Sequence, residues 1–166
     1  MADGRFHLAQ LNIARVVAPL DSPQLADFVA LLDPINALAE KSPGFVWRYT
    51  SPGRNDATGD RSLGDDQVPN LSVWESLESL REFAYRSRHL DVMRRRREWF
   101  RPHAGSYMVL WWIPIGHTPT VAEAMERLAE LDQSGPGPRA FTFHRPFDPA
   151  GNPIEQRTAA SAQPSI

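Results

Sequence analysis

Four runs of alternating or near-continuous apolar residues are separated by stretches of helical period, and this order constrains the fold more than any other feature of the chain. The runs are Phe6 to Val16, Phe45 to Thr50, Asn70 to Glu75 and Tyr107 to Pro114. In the first, Ala9, Leu11 and Ile13 alternate with Gln10, Asn12 and Ala14, so one strand face is apolar and the other carries two amides. In the second, Phe45, Trp47 and Tyr49 are expected on one face and Val46, Arg48 and Thr50 on the other. In the third, Leu71 and Val73 face away from Ser72 and Trp74. The fourth is apolar on both faces, as a central or interface strand should be.

Between these runs the period changes to 3.6. Asp21-Ser22-Pro23 opens a helix carrying Leu25, Phe28, Val29, Leu32, Ile35 and Ala39, closed by Ser42-Pro43-Gly44. Pro34 removes a backbone donor inside it and is expected to kink or split it. Ser76 caps a second helix with Leu77, Leu80, Phe83 and Ala84 as its apolar stripe; a further piece carries Leu90, Met93, Arg97 and Phe100. Thr120 to Leu131 forms a third helix, and Ala140 to Phe143 is a candidate short edge strand. Residues 51–69, rich in Gly, Pro and Asp, are expected to form a mobile loop.

The order strand, helix, strand, strand, helix, strand is the ferredoxin-like split motif, an α+β fold. One domain is assigned to residues 5–145; residues 146–166, of Pro, Ala, Ser and Gln, are expected to be a disordered tail. The helices of this motif cover one sheet face, so a second subunit is the simplest cover for the other, and a homodimer is expected.

Composition narrows the function classes. With 166 residues, 42% apolar and 23% charged, the chain suffices for one ordinary core. A net charge of -2 offers no field for nucleic acid or anionic membrane. Without cysteine there is no thiol nucleophile or thiolate metal site, and no apolar run reaches the ~20 residues of a membrane span. A cytoplasmic location is expected. No Gly-rich phosphate loop or Gly-x-Ser-x-Gly elbow occurs, and no His pair has the i, i+4 spacing of a helical metal site, so no metal is expected.

The residues that carry polar groups to one prospective cavity are Gln10, Asn12, Arg48, Ser72, Trp74 and one of Trp111 and Trp112, with Trp112 the choice. Such groups in an apolar pocket form a small-molecule site; alternatively, the amides bond across a subunit interface and the indoles are core. His89 is the acid/base candidate, and Tyr85, four residues earlier, is placed to orient it. Arg94 to Arg97 point in four directions from a helix, so one or two could hold a carboxylate while the rest pair with Glu98, Glu75 or Asp91.

The segment Asn70-Leu71-Ser72-Val73-Trp74-Glu75-Ser76, followed by Leu80, Phe83, Ser87 and His89, resembles the strand–Trp–Glu–Ser–helix segment of dimeric α/β-barrel proteins, which include antibiotic-biosynthesis-type and heme-degrading monooxygenases. The whole stretch from His7 to Phe143 is similar to an uncharacterised bacterial family of unknown function in that superfamily. The blocks that carry the similarity are Ala37 to Arg48, Arg94 to Phe100 and Leu110 to Pro114. The resemblance implies a cofactor-independent monooxygenase-like enzyme acting on an aromatic or apolar substrate; together with the residue reading above, Asn12, Trp74 and His89 are expected to be catalytic and Gln10, Arg48, Ser72, Tyr85 and Trp112 to bind substrate. No cofactor is then expected. The alternatives are a non-catalytic protein for heme or another hydrophobic ligand, and an isomerase, cyclase or dehydratase using the same pocket. The heme-degrading branch carries its ligand His near the position of Met93 or Arg94, where this chain has none; His89 stands about one turn earlier.

Overall fold

A computed structural model describes residues 4–86 and 89–155, the side chains of His89 and Leu90 excepted. The elements are β1 (Phe6–Arg15), a 3-10 turn (Pro23–Leu25), α1 (Ala26–Lys41), β2 (Phe45–Arg48), β3 (Gln67–Trp74), α2 (Leu77–Arg86), α3 (His89–Arg94), α4 (Arg96–Trp99), β4 (Met108–Pro114) and α5 (Val121–Ser134). The strands form one open, fully antiparallel sheet in the order β2-β3-β1-β4. The class is α+β.

Strand alternation sorts the core into two layers. Ala9, Leu11, Ile13, Leu71, Val73, Val109, Trp111 and Ile113 pack on one face against Ala124, Leu128 and Leu131 of α5. Leu8, Trp74 and Leu110 pack on the other with Ala39 of α1 and Leu77 and Leu80 of α2. The first face, expected to await a second subunit, is therefore covered within the chain: α5 lies over it, and Ala140 and the half-buried Leu63 join it. Thr120 accepts the Glu123 N–H to cap α5, which runs three residues past its expected end.

Several boundaries differ from the sequence expectation for identifiable reasons. Between Phe45 and Trp47 the β2–β3 register shifts, with Phe45 opposite Trp74 and Trp47 opposite Val73. This bulge turns the two aromatic rings, expected on one face, to opposite faces: Phe45 meets Trp74 and Trp47 joins the α5 layer. Strand β3 starts at Gln67 and includes Pro69. Leu71 accepts the Tyr49 N–H, so the backbone of odd-numbered β3 residues points toward β2, and Pro69 lies beyond the end of that strand, where no ladder donor is needed. Helix α1 runs unbroken through the exposed Pro34. The segment 51–66 is held by its own side chains: Asp56 accepts from Thr58 N–H, Asp60 accepts from Ser62 N–H and the Tyr49 hydroxyl, and Ser51 and Thr58 are buried.

Phe141 exchanges both backbone hydrogen bonds with Leu110 along the free edge of β4, as a bridge rather than a full strand. Residues 146–155, expected in the tail, turn back instead: Asp148 accepts from Asn152 N–H and Phe147 bridges Pro153. The remainder of the predicted tail, residues 156–166, lies outside the described residues.

Candidate functional site

The second sheet face does not close completely against its helices. Between it and α1, α2 and α3 lies a cavity of about 990 Å³. Its floor is set by strand alternation: Gln10 and Asn12 from β1 and Asn70, Ser72 and Trp74 from β3 share one face, with Gln10 opposite Ser72 and Asn12 opposite Asn70. Its walls are apolar and include Phe28, Leu32 and Ile35 of α1 and Leu80 and Phe83 of α2.

A small buried network organises the floor. Ser72 Oγ accepts from Gln10 Nε2 at 2.8 Å and from Trp74 Nε1 at 2.9 Å. Two donors fill the oxygen's lone pairs, which leaves the serine hydrogen to donate elsewhere. It has no acceptor among the described residues. Gln10 Nε2 also lies 3.3 Å from the Asn70 carbonyl, while Gln10 Oε1 and the Asn12 amide have no protein partner among the described residues. The floor thus presents one hydroxyl hydrogen, one carbonyl acceptor and one free amide to a molecule in the cavity. Trp74 stacks on Phe83 at 5.1 Å with 25° between planes and meets Phe45 edge-on at 5.5 Å, so its ring is fixed from two sides.

Of the residues singled out from sequence, Gln10, Asn12, Arg48, Ser72, Trp74 and Tyr85 line this one cavity. Arg48 is committed elsewhere: its Nε donates to Glu40 at 2.8 Å, and Nη1 and Nη2 donate to the Asn55 carbonyl and side-chain oxygens at 2.7 and 2.9 Å. It ties β2 to α1 and to the following loop. Tyr85 packs edge-on against Phe143, and burial, the largest influence, holds its phenol above its ordinary pKa. It therefore remains a neutral donor at physiological pH.

One expectation fails on geometry. Trp112 sits on the cavity face of its strand, yet it is no cavity wall; its Nε1 donates to the Phe147 carbonyl at 2.7 Å and its ring lies against Phe141. The returning 141–147 segment covers it. The pairing of Tyr85 with His89 turns on residues 87–88, which lie outside the described residues. The side chain of His89 lies outside the described residues. Trp111 faces the other layer, with Nε1 3.4 Å from Glu123.

Sequence reasoning passed over Asn70, although it shares the period of Ser72 and Trp74, and it could not connect Arg96, Arg101, His103 and Tyr107 to a floor built from distant strands. All five line the cavity. The arginine run divides as its helical directions require: Arg95 leaves the cavity to bond Glu98 and Asp27 and to cover Trp99, Arg94 lies 3.7 Å from Asp91, and Arg96 lies over Tyr107. No group of three or more His, Asp or Glu among the described residues is placed to hold a metal ion. No described helix is long and apolar enough to cross a membrane.

Fold and cavity together define an α+β protein with an open antiparallel sheet whose polar face floors a small-molecule-sized chamber. Residues 7–157 match the family described as Domain of unknown function (DUF3291), and the chain belongs to that family. Its match extends past Phe143 and takes in the segment that packs on Trp112. No curated protein and no solved structure matches the chain.

Proposed function

We propose that the protein takes a small aromatic or apolar molecule into this cavity and acts on it as a cofactor-independent monooxygenase does. The observation that carries the reading is the Gln10–Ser72–Trp74 network, whose free hydroxyl hydrogen lies beside the unpartnered Asn12 amide on the floor of an apolar chamber. A carbonyl or phenolate oxygen would accept from Ser72 and Asn12, and the fixed indole of Trp74 would align an aromatic ring. In such a reaction dioxygen converts a ring CH₂ to a carbonyl, and its second oxygen leaves as water. Donors aimed at the oxygen where charge develops would stabilise the substrate anion.

The ferredoxin-like assignment rests on the β-α-β-β-α-β order and on the strand order β2-β3-β1-β4. The dimeric barrel of the resemblance joins two sheets face to face. Here that face carries α5, so a homodimer built that way would hold α5 in its interface, and sedimentation equilibrium measures whether one forms.

An oxygen electrode with a panel of polycyclic phenols tests the activity. The reading expects uptake that is lost in Asn12→Ala and in Trp74→Phe. Turnover without oxygen, abolished in His89→Ala, would replace it with an isomerase, cyclase or dehydratase. Saturable binding without turnover would leave a hydrophobic-ligand carrier. Heme is a specific case of that second reading, favoured by the chamber's size and by His103, a histidine of its lining; Met93 and Arg94, at the position of the resemblance's ligand, also line the cavity. A Soret band on hemin titration measures it.

A further inference from the structure

The lining of the cavity is electrically lopsided. Among the described residues it includes six arginines, Arg15, Arg48, Arg94, Arg96, Arg97 and Arg101, against a single carboxylate, Asp56. Three of the six are already matched: Arg15 with Asp66 at 2.9 Å, Arg48 with Glu40 at 2.8 Å and Arg94 with Asp91 at 3.7 Å. Asp56 is itself bonded to the Thr58 N–H and hydroxyl. Among the described residues Arg96, Arg97 and Arg101 form no ion pair with a carboxylate, although the charge of Arg101 also helps to lower the Asp66 carboxyl that Arg15 holds. Two of them are held in place by other means. The Arg96 guanidinium lies 5.9 Å from the Tyr107 ring centroid, and Arg101 donates its backbone N–H to the Arg15 carbonyl at 2.7 Å and Nη2 to the Val17 carbonyl at 3.4 Å.

These cations sit at one end of the floor. Strand pairing places Trp74 opposite Leu8 at the aromatic end, Ser72 opposite Gln10 in the middle, and Asn70 opposite Asn12, itself opposite Met108, next to Tyr107. The chamber therefore grades from aromatic, through neutral polar, to basic. Four residue steps along the strand separate Trp74 from Asn70, about 14 Å. The whole chain carries a net charge of -2, so no global field draws anions to it and any preference for them is local.

We infer that the ligand is an amphipathic organic carboxylate, its apolar or aromatic body lying between Trp74 and the helix walls and its carboxylate meeting Arg96 and Arg101. The inference rests on the cavity being the ligand site, and it names the class of ligand that the site selects. Arginine supplies paired N–H donors that match a carboxylate.

Two fluorescent probes separate the claims: 1-pyrenebutyrate and its neutral counterpart 1-pyrenebutanol, titrated into the full-length protein. The expected result is saturable binding of both, with the carboxylate about tenfold or more tighter, as one charge-assisted bond supplies. Added salt should narrow the gap by weakening the carboxylate alone. Arg96→Gln and Arg101→Gln, singly and together, should reduce carboxylate affinity toward that of the alcohol, while alcohol binding stays unchanged and certifies the fold. Arg139→Gln, on the opposite layer, should leave the gap intact. Equal binding of the two probes by the unaltered protein, or a gap insensitive to both arginine variants, would overturn the carboxylate inference and leave the cavity reading standing. Binding of neither probe would overturn both.

Discussion

Removal of the Ser72 hydroxyl should cost more stability than the volume of one oxygen implies. In Ser72→Ala, two N–H donors lose their acceptor together. Gln10 Nε2 retains the Asn70 carbonyl at 3.3 Å, a longer substitute. The Trp74 indole N–H has no second acceptor among the described residues, and Trp74 is 1% exposed. An unsatisfied buried donor costs about 1–3 kcal/mol. Allowing the glutamine its fallback, the total is about 2 kcal/mol, which lowers the melting temperature of a chain this size by about 4–8 °C. Urea denaturation monitored by circular dichroism measures it. The decisive form is a double-mutant cycle with Trp74→Phe, which removes the indole donor beforehand. In that background Ser72→Ala should cost about 1 kcal/mol less, because only the glutamine is affected. An equal cost in both backgrounds would show that the indole does not depend on Ser72, and the network argument would fall.

Three further outcomes follow from local geometry. Gly44 turns α1 into β2 at φ +84, and a Cβ there would stand 2.4 Å from Ser79 Cβ, so Gly44→Ala should destabilise by about 3 kcal/mol in chemical denaturation, from left-handed strain plus overpacking. Trp112→Phe removes the bond to Phe147 and should cost about 1 kcal/mol while speeding hydrogen exchange at the Ile154 amide, which donates to Pro146 in the same returning segment; unchanged exchange would mean that the segment holds without Trp112. Burial raises the Asp60 carboxyl pKa, but bonds from Ser62 and Tyr49 outweigh it and hold it below its ordinary value; its contribution is therefore present above about pH 4 and lost as pH falls through the folded pKa, so Asp60→Asn should flatten the acid limb of the stability–pH curve.

The floor of the site was legible in the sequence because strands carry a rigid period of two. Gln10, Asn12, Ser72 and Trp74 could be placed on one surface from alternation alone, and Asn70 follows from the same rule. What defeated that rule was interruption of the period. The bulge at Val46 separated Phe45 from Trp47. Long-range covering was invisible for a different reason. Nothing local to Trp112 announces that residues 141–147 return over it, and the amphipathic stripe of α5 does not say which face it will take. The basic end of the chamber was hidden in the same way, since Arg96 and Arg101 join a floor contributed by strands far away in the chain. The segment 51–69 was expected to be mobile from its Gly, Pro and Asp content, whereas Asp56 and Asp60 satisfy backbone donors within it.

On the proposed reading a small molecule binds on the polar floor between sheet and helices. The most direct test is a ¹H–¹⁵N spectrum of the protein titrated with 1-pyrenebutanol, following the five indole N–H signals and the side-chain amides. Saturable ring-current shifts are expected at the Trp74 indole and at the Gln10 and Asn12 amides, with the Trp111 and Trp112 indoles still. Shifts confined to Trp111 or Trp112, or no saturable shift at Trp74, would contradict that reading.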